Sequence, residues 1–197
     1  MQGLFNFIVK PKGSRYNNIK KIGDKELILN SEIYNHQYVN REAIVVSLPK
    51  SVETDISIGD TVIVHHNVFR RWHDQQGVER NSKCYFKEDK YFISIDQIFL
   101  YKNNNKWLSL PDYCFVKPLK SEDIFEDKEK PLVGVVKYSN DKLSVQEGDL
   151  IGFTPNSEYE FIIDGQRLYR VLSNFITIKY EYQGNEKEYN PSWTNSG

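Results

Sequence analysis

The sequence contains very little alanine. Ala43 is the single alanine among 197 residues, whereas tyrosine occurs 13 times and phenylalanine 11 times. Alanine, leucine, glutamate and lysine favour helices, while aromatic and β-branched residues fit the half-buried surface of a pleated sheet. We therefore predict an all-β protein and exclude a helical bundle.

Cysteine is also scarce. Cys84 and Cys114 are the two cysteines, and neither stands in a Cys-x-x-Cys motif or beside a histidine. A disulfide framework and a zinc site are therefore not expected. His65 and His66, as neighbours on a strand, would point to opposite faces and could not bind one metal ion. The sequence predicts neither a metal site nor a cofactor.

The chain lacks a strong charge of either sign and a long apolar run. The 26 Lys and Arg residues face 27 Asp and Glu residues, so no overall basic field attracts nucleic acid or an anionic membrane. No apolar run approaches the roughly 20 residues of a membrane span, and Met1–Val9 lacks the features of a secretion signal. We expect a cytoplasmic protein without a membrane partner.

Motifs typical of enzymes are missing as well. The glycine-containing segments include neither GxGxxG nor a GKS/T phosphate loop. No serine, cysteine or carboxylate stands in a recognisable nucleophile context. We therefore expect that the protein is not an enzyme.

Short apolar segments bounded by turn residues recur along the whole chain. Each has the length and composition of a strand. Several alternate, so that Ile176, Ile178 and Tyr180 would share one face. The expected strands are Leu4–Val9, Ala43–Leu48, Thr61–His66, Tyr91–Ile95, Ile98–Tyr101, Tyr113–Val116, Leu132–Tyr138, Leu150–Phe153, Tyr159–Ile163, Leu168–Leu172 and Phe175–Tyr182.

Four segments of the first half of the chain recur in the second half. The matches keep their order while the offset between them falls from 107 to 78 residues. The sequence therefore indicates a tandem duplication with longer connections in the first copy. The matching pairs are Phe7–Pro11 with Cys114–Pro118, Glu42–Val46 with Val133–Val136, Ile58–Ile63 with Glu147–Gly152, and Tyr91–Ile98 with Tyr169–Ile176.

The polar run Lys102–Lys106 marks the boundary between the copies, because its residues favour turns and cannot contribute to a core. Small domains of this kind expose strand edges that commonly pair with a neighbour, so we expect self-association. The predicted parts are a first domain at 1–103 with a long loop at 13–40 and a hairpin insertion at 69–84, a linker at 104–111, a second domain at 112–183 and a tail at 184–197.

The second copy carries a collinear set of motifs. Phe115–Leu119 ends in Lys-Pro-Leu, and a strand with Gly134, a Val-x-x-Gly-Asp turn at Val145–Asp149 and an Asp164-Gly165 hairpin follow. This order, over about 65 residues, resembles the chaperonin-10 (GroES-type) family. The duplicated, Asn-, Lys- and Ile-rich chain is also similar to tailed-phage co-chaperonins. The resemblance implies two tandem GroES-like β-barrels.

In that family a long loop after the first strand docks an apolar tripeptide into the apical domain of a chaperonin. Leu27, Ile28 and Leu29, within the loop at 13–40, match that tripeptide in position and type. The resemblance implies a co-chaperonin ring that caps a GroEL-type chaperonin and assists ATP-dependent protein folding, with the ATP bound by the partner. It would act in the cytoplasm, that of the host if the protein is encoded by a phage.

Two alternatives stay open. The tripeptide could be a short strand of the first domain instead of a docking element. The protein could also be a ring-forming structural or assembly protein, for example of a virion, without a chaperonin partner.

Three further segments differ from the family pattern. The second-copy loop Lys120–Lys130 is short and acidic, with Ile124 and Phe125 as its apolar residues, and we do not expect it to dock. The insertion at 69–84 mixes arginine and tryptophan, which can stack on bases and neutralise phosphate, so nucleic-acid binding is an alternative. Asp74, Glu79 and the negative net charge favour instead an extended hairpin at a ring interior or interface. The tail Glu186–Gly197 either docks on a neighbouring subunit or frays.

Overall fold

The structure is a computed structural model, and it describes residues 2–17, 19–28, 35, 38–121, 128–181, 184 and 186–189. The chain divides into two compact units, Met1–Trp107 and Leu108–Gly197. This division falls within the segment 104–111 that we expected to be a linker.

Unit 1 is built on a seven-stranded sheet. Its strands follow the order β11-β10-β5-β4-β1-β9-β8, and β2 with β3 and β6 with β7 form two separate hairpins. The strands are β1 (Phe7–Pro11), β2 (Ile19–Ile22), β3 (Lys25–Ile28), β4 (Glu42–Ser47), β5 (Thr61–Val64), β6 (Arg71–His73), β7 (Glu79–Asn81), β8 (Tyr85–Lys87), β9 (Lys90–Ile93), β10 (Ile98–Asn103) and β11 (Lys106–Ser109).

Unit 2 is built on a six-stranded sheet with the order β15-β16-β12-β13-β14-β17. All neighbouring strands of this sheet pair in antiparallel fashion. The strands are β12 (Tyr113–Lys120), β13 (Glu129–Tyr138), β14 (Leu150–Phe153), β15 (Glu158–Ile163), β16 (Gln166–Leu172) and β17 (Ile176–Tyr180).

The two sheets repeat one pairing pattern. The order β10-β5-β4-β1-β9-β8 in unit 1 corresponds to β17-β14-β13-β12-β16-β15 in unit 2. Val9 lies opposite Tyr91 in unit 1, and Val116 lies opposite Tyr169 in unit 2. These pairs are related by the offsets of 107 and 78 residues found in the sequence, so the matching segments occupy equivalent places in the two sheets.

The Gly-Asp turns are equivalent down to single hydrogen bonds. In unit 1 the Ser57 N–H donates to Asp60 Oδ2 at 2.8 Å, and in unit 2 the Gln146 N–H donates to Asp149 Oδ2 at 2.8 Å. Gly59 and Gly148 have φ angles of 95° and 94°, in the left-handed region that glycine adopts without strain. The two turns are therefore the same structure built twice.

The prediction of an all-β protein is confirmed, because strands and a few short 3₁₀ turns make up the regular structure of the described residues. Closure into barrels is not found in these residues, since the terminal strands of each sheet are not neighbours: β11 and β8 in one sheet, β15 and β17 in the other. Alternating apolar residues determine which face of a strand is buried, but not whether two sheet edges meet.

Each unit has its own apolar core. In unit 1 the buried rings of Phe69 and Tyr91 pack edge to face, with centroids 4.8 Å apart. In unit 2 Phe115 packs on Phe161 at 5.7 Å on one side of the sheet. A cluster of buried residues in unit 2 consists of Cys114, Val116, Val136, Val145, Ile151, Phe153 and Val171.

The polar run Lys102–Lys106 is a hairpin turn. Asn104 and Asn105 have φ angles of 47° and 65° and return the chain from β10 into β11. Asparagine tolerates this left-handed conformation better than most residues, which is why asparagine is common in such turns. β11 therefore joins the first sheet, with Trp107 buried, in a region that we expected to be a linker.

The described residues include no helix that is long and apolar enough to cross a membrane.

Candidate docking hairpin

The connection between β1 and β4 begins as a short antiparallel stem. Its strands are held by hydrogen bonds from the Asn17 N–H to Tyr38 O at 2.7 Å and from the Asn40 N–H to Arg15 O at 2.9 Å. Tyr16 forms an antiparallel bridge with Val39. The long loop predicted at 13–40 therefore leaves the sheet through an ordered base.

Asn40 fastens this stem to the sheet. Its buried Nδ2 donates to Lys12 O at 3.0 Å and to Ser14 O at 2.8 Å, while its Oδ1 accepts from the Glu42 N–H at 2.8 Å. A single side chain thus satisfies two carbonyl groups and one amide group where the insertion departs from the sheet. No sequence pattern predicts this role, since an asparagine in a polar loop is usually a turn residue.

The insertion at 69–84 supports the stem from the other side. Arg15 donates from Nη1 to Asn81 Oδ1 at 2.8 Å and from Nη2 to Phe69 O at 3.1 Å. The Arg71 N–H donates to the hydroxyl oxygen of Tyr16 at 2.8 Å. The two insertions of the first copy, which look independent in the sequence, form one connected structure.

Beyond the stem, β2 and β3 form a hairpin that is separate from the seven-stranded sheet. Ile22 lies opposite Lys25, so Gly23 and Asp24 form a two-residue turn. Gly23 has a φ angle of 60°, and glycine at the first turn position is typical of one of the two preferred hairpin turns. Leu27 and Ile28 thus lie on a short strand of unit 1, as the alternative to docking proposed, but this strand belongs to a separate hairpin and not to the seven-stranded sheet.

The predicted docking residues Leu27 and Ile28 lie on β3 with their side chains 51% and 64% exposed. Leu29 lies outside the described residues. On the opposite strand Ile19 and Ile22 are 51% and 58% exposed. Sequence analysis missed these two isoleucines because isolated apolar residues among lysines gave no recognisable motif. The hairpin therefore exposes four aliphatic side chains.

The corresponding connection in unit 2 is much shorter. β12 and β13 stay paired as far as Lys120 and Glu129, and the Ser121 N–H donates to Lys128 O at 2.8 Å. Ile124 and Phe125 lie outside the described residues. The loop between the two strands therefore spans eight residues, 121–128, in place of a stem and a second hairpin.

The insertion at 69–84 contains a hairpin of β6 and β7 in which the arginines already have carboxylate partners. Arg71 Nη1 lies 2.9 Å from Glu79 Oε1, and Arg80 Nε lies 2.9 Å from Asp74 Oδ2. Hydrogen bonds from the Val78 N–H and from Arg80 lower the pKa of the Asp74 carboxyl group. Two of the three arginines of the insertion thus have carboxylate partners, which reduces the positive charge that this hairpin offers to nucleic acid.

Part of the C-terminal tail docks on its own unit. Lys117 Nζ lies 2.5 Å from Glu188 Oε1, the Lys120 N–H donates to Lys187 O at 2.7 Å, and the Tyr189 N–H donates to Pro118 O at 2.8 Å. Residues 187–189 thus extend the sheet beside the end of β12. Trp193 lies outside the described residues, and the predicted contact of the tail Glu186–Gly197 with a neighbouring subunit stays a prediction.

The histidine pair does not lie on a strand. β5 ends at Val64, and His65 caps a 3₁₀ turn by accepting the Asn67 N–H at Nδ1. The rings of His65 and His66 are 4.3 Å apart, so the expectation that they point to opposite faces is wrong. A group of three or more histidine, cysteine or acidic residues placed to bind a metal is absent from the described residues.

No family model matches the sequence. No curated protein matches it either. The features that bear on function are the sequence motifs of the two copies and the geometry of the hairpin.

Proposed function

We propose that the protein is a co-chaperonin that caps a GroEL-type chaperonin and assists ATP-dependent protein folding. The observation that carries the proposal is the β2–β3 hairpin, which holds Leu27 and Ile28 exposed on an insertion after the first strand. The resemblance to the chaperonin-10 family assigns docking to this place in the chain. The nucleotide is bound by the chaperonin, and the protein acts in the cytoplasm where that partner resides.

The exposed aliphatic residues suit a weak and reversible contact. Burying an exposed Leu or Ile side chain fully stabilises a complex by about 1.5–3 kcal/mol, and these half-exposed side chains gain a fraction of that. Ordering the insertion on binding offsets part of the gain. Several hairpins in one assembly would act together, so that weak individual contacts produce tight capping through avidity.

Self-association is part of the proposal, and the outer edge of β17 supports it. In unit 1, Leu100 of β10 is fully buried, and β11 is the next strand in the sheet. In unit 2, the equivalent Ile178 of β17 is 49% exposed, and β17 is the last strand of its sheet. An open strand edge with exposed apolar side chains is a site where another chain can pair.

The second candidate function, a ring-forming structural or assembly protein, is favoured by the same edge of β17. Such a protein would self-associate without binding a chaperonin and would be retained in purified particles. A co-chaperonin would bind the chaperonin in the presence of nucleotide and could replace the cognate co-chaperonin in a refolding assay. Chaperonin binding therefore separates the two functions.

Native mass spectrometry of the protein with a GroEL-type tetradecamer and ATP tests the proposal directly. We expect a nucleotide-dependent complex that the variant Leu27→Ala/Ile28→Ala/Leu29→Ala no longer forms. A matched control is Ile58→Ala/Ile162→Ala, which removes two exposed isoleucines outside the hairpin. Equal capping by the triple variant and the wild type would contradict the assignment of the hairpin, and no complex with the wild type would contradict the function.

A further inference from the structure

We infer that the β2–β3 hairpin docks through both of its faces, with Ile19 and Ile22 of β2 contacting the partner alongside Leu27 and Ile28 of β3. This inference rests on the proposed function. It extends the contact from one run of three residues to two pairs of residues on two strands.

The pairing of the strands places the four side chains. Ile19 lies directly opposite Ile28, and residues opposite each other in an antiparallel pair have their side chains on the same face. Leu27 is the neighbour of Ile28 along the strand, so its side chain points to the other face. Ile22 is three residues from Ile19 and shares that other face with Leu27, as a diagonal neighbour. Each face of the hairpin therefore carries one aliphatic pair.

Both pairs are available for contact. The four side chains are between 51% and 64% exposed, so neither face is buried by the described part of the chain. A two-stranded hairpin with no further strands or packing is only marginally stable in water. Covering both faces would stabilise the hairpin and bury apolar surface in the same step.

This geometry defines the partner surface. A flat apolar surface could cover one face of the hairpin and would leave the other pair in water. Two apolar walls, each about 10 Å from the plane of the hairpin as in stacked sheets, would cover both. Asp24, Lys25 and Glu26 near the turn are exposed and charged, so the cleft must be open or polar around the tip. The partner is thus a chaperonin cleft with two apolar walls and a polar end.

Two matched double variants test the inference, because each removes one pair from one face: Ile19→Ala/Ile28→Ala and Ile22→Ala/Leu27→Ala. We expect each to raise the concentration for half-maximal capping by at least tenfold in native mass spectrometry with chaperonin and ATP, while Ile58→Ala/Ile162→Ala leaves it unchanged. The corresponding Thr variants place a β-branched residue with high strand propensity at all four positions, so they retain the hairpin while removing apolar contact, and we expect them to weaken capping as the Ala variants do.

The outcomes are distinct. If one pair can be removed without effect while the other cannot, docking is one-faced, and the inference is overturned although the proposed function stands. If neither removal has an effect although the wild type caps, the hairpin is not the contact. If the wild type forms no complex, the proposed function fails, and the inference fails with it. Loss of self-association by the double variants would identify a second copy as the occupant and also overturn the inference.

Discussion

Gly134 of β13 lies so close to Val116 of β12 that a Cβ atom at position 134 would be 2.9 Å from Val116 Cβ. The same atom would also be 2.9 Å from the carbonyl oxygen of Lys117. The equivalent position of unit 1 is Ala43, opposite Pro11 as Gly134 is opposite Pro118. The single alanine of the chain and this glycine therefore occupy the same place in the two sheets, with closer packing in unit 2.

Gly134→Ala is expected to destabilise unit 2 by about 1–3 kcal/mol, because the added methyl group must displace a buried valine and backbone. Urea denaturation measures the change. Gly152→Ala is a matched control in the next strand, where the nearest atoms belong to the exposed ring of Tyr180 at 3.2 Å. If Gly134→Ala lost no more stability than Gly152→Ala, the prediction would be wrong, and the sheet would adjust to the methyl group at position 134.

Asn40→Ala is expected to destabilise unit 1 by about 1–3 kcal/mol, since two carbonyl groups and one amide group lose a buried hydrogen-bond partner. Hydrogen exchange should rise at residues 14–17 and 38–40, and capping should weaken although the hairpin residues are unchanged. Asn40→Asp keeps an acceptor for the Glu42 N–H and removes the two donated bonds. Because its buried carboxylate would face the carbonyl oxygens of Lys12 and Ser14, we expect Asn40→Asp to be destabilised at least as much as Asn40→Ala at pH 7. Wild-type exchange in Asn40→Ala would argue against the fastening role.

Asp149 is expected to make the stability of unit 2 depend on pH in the acidic range. Partial burial raises the pKa of Asp149, but hydrogen bonds from Lys179 Nζ and the Gln146 N–H outweigh this, and the net pKa lies below its ordinary value. A carboxyl group whose pKa is lowered by folding stabilises the folded state at pH values above its ordinary pKa of about 3.9. This stabilisation is lost as the pH falls through the lower pKa of the folded state.

Asp149→Asn should therefore cost up to about 1 kcal/mol at pH 7, since Lys179 is half exposed, and the difference from the wild type should shrink below about pH 4. Urea denaturation at a series of pH values measures this. Lys137→Met serves as a control because it removes a different exposed ion pair, with Glu147, near the same turn. A difference between Asp149→Asn and the wild type that stays constant from pH 7 to pH 3 would contradict the assignment.

Cys114 is expected to report the unfolding of unit 2. Burial raises the pKa of this thiol to about 12, so that little thiolate forms and reagents have no access in the folded state. In a Cys84→Ser background, the rate at which a thiol reagent labels Cys114 should follow the rate or equilibrium of the opening of unit 2. Labelling of Cys114 should therefore accelerate with urea. In a Cys114→Ser background, Cys84 is half-buried and should label faster. Rapid labelling of Cys114 without denaturant would show that the core of unit 2 opens locally.

The sequence predicted the parts of the fold that depend on local patterns. Asp164 and Gly165 were expected to form a two-residue hairpin turn, and they connect β15 to β16 with φ angles of 49° and 75°. The Gly-Asp segments were expected to be turns that open a strand, and both do so through the same hydrogen bonds. Such turns depend on the backbone preferences of two or three adjacent residues, so they can be predicted from a single sequence.

The sequence did not predict features that depend on which segments meet in space. The three asparagines at 103–105 looked like a linker, whereas they return the chain so that β11 covers β10. The support of the stem by Arg15 and Asn81 joins residues 66 positions apart and leaves no local signal. Docking by Leu27 and Ile28 was proposed from a family resemblance, and the proposal that Ile19 also docks depends on its pairing with Ile28, which the sequence alone does not show.

The short connection of unit 2 has a consequence for the stoichiometry of any assembly. Since one polypeptide carries a β2–β3 hairpin in unit 1 and an eight-residue connection between β12 and β13 in unit 2, each chain contributes one such hairpin for every two sheets. Covalent linkage fixes this ratio at any protein concentration, which a mixture of two separate subunits could not do. Among the described residues, the number of β2–β3 hairpins in an assembly therefore equals the number of chains and is half the number of large sheets.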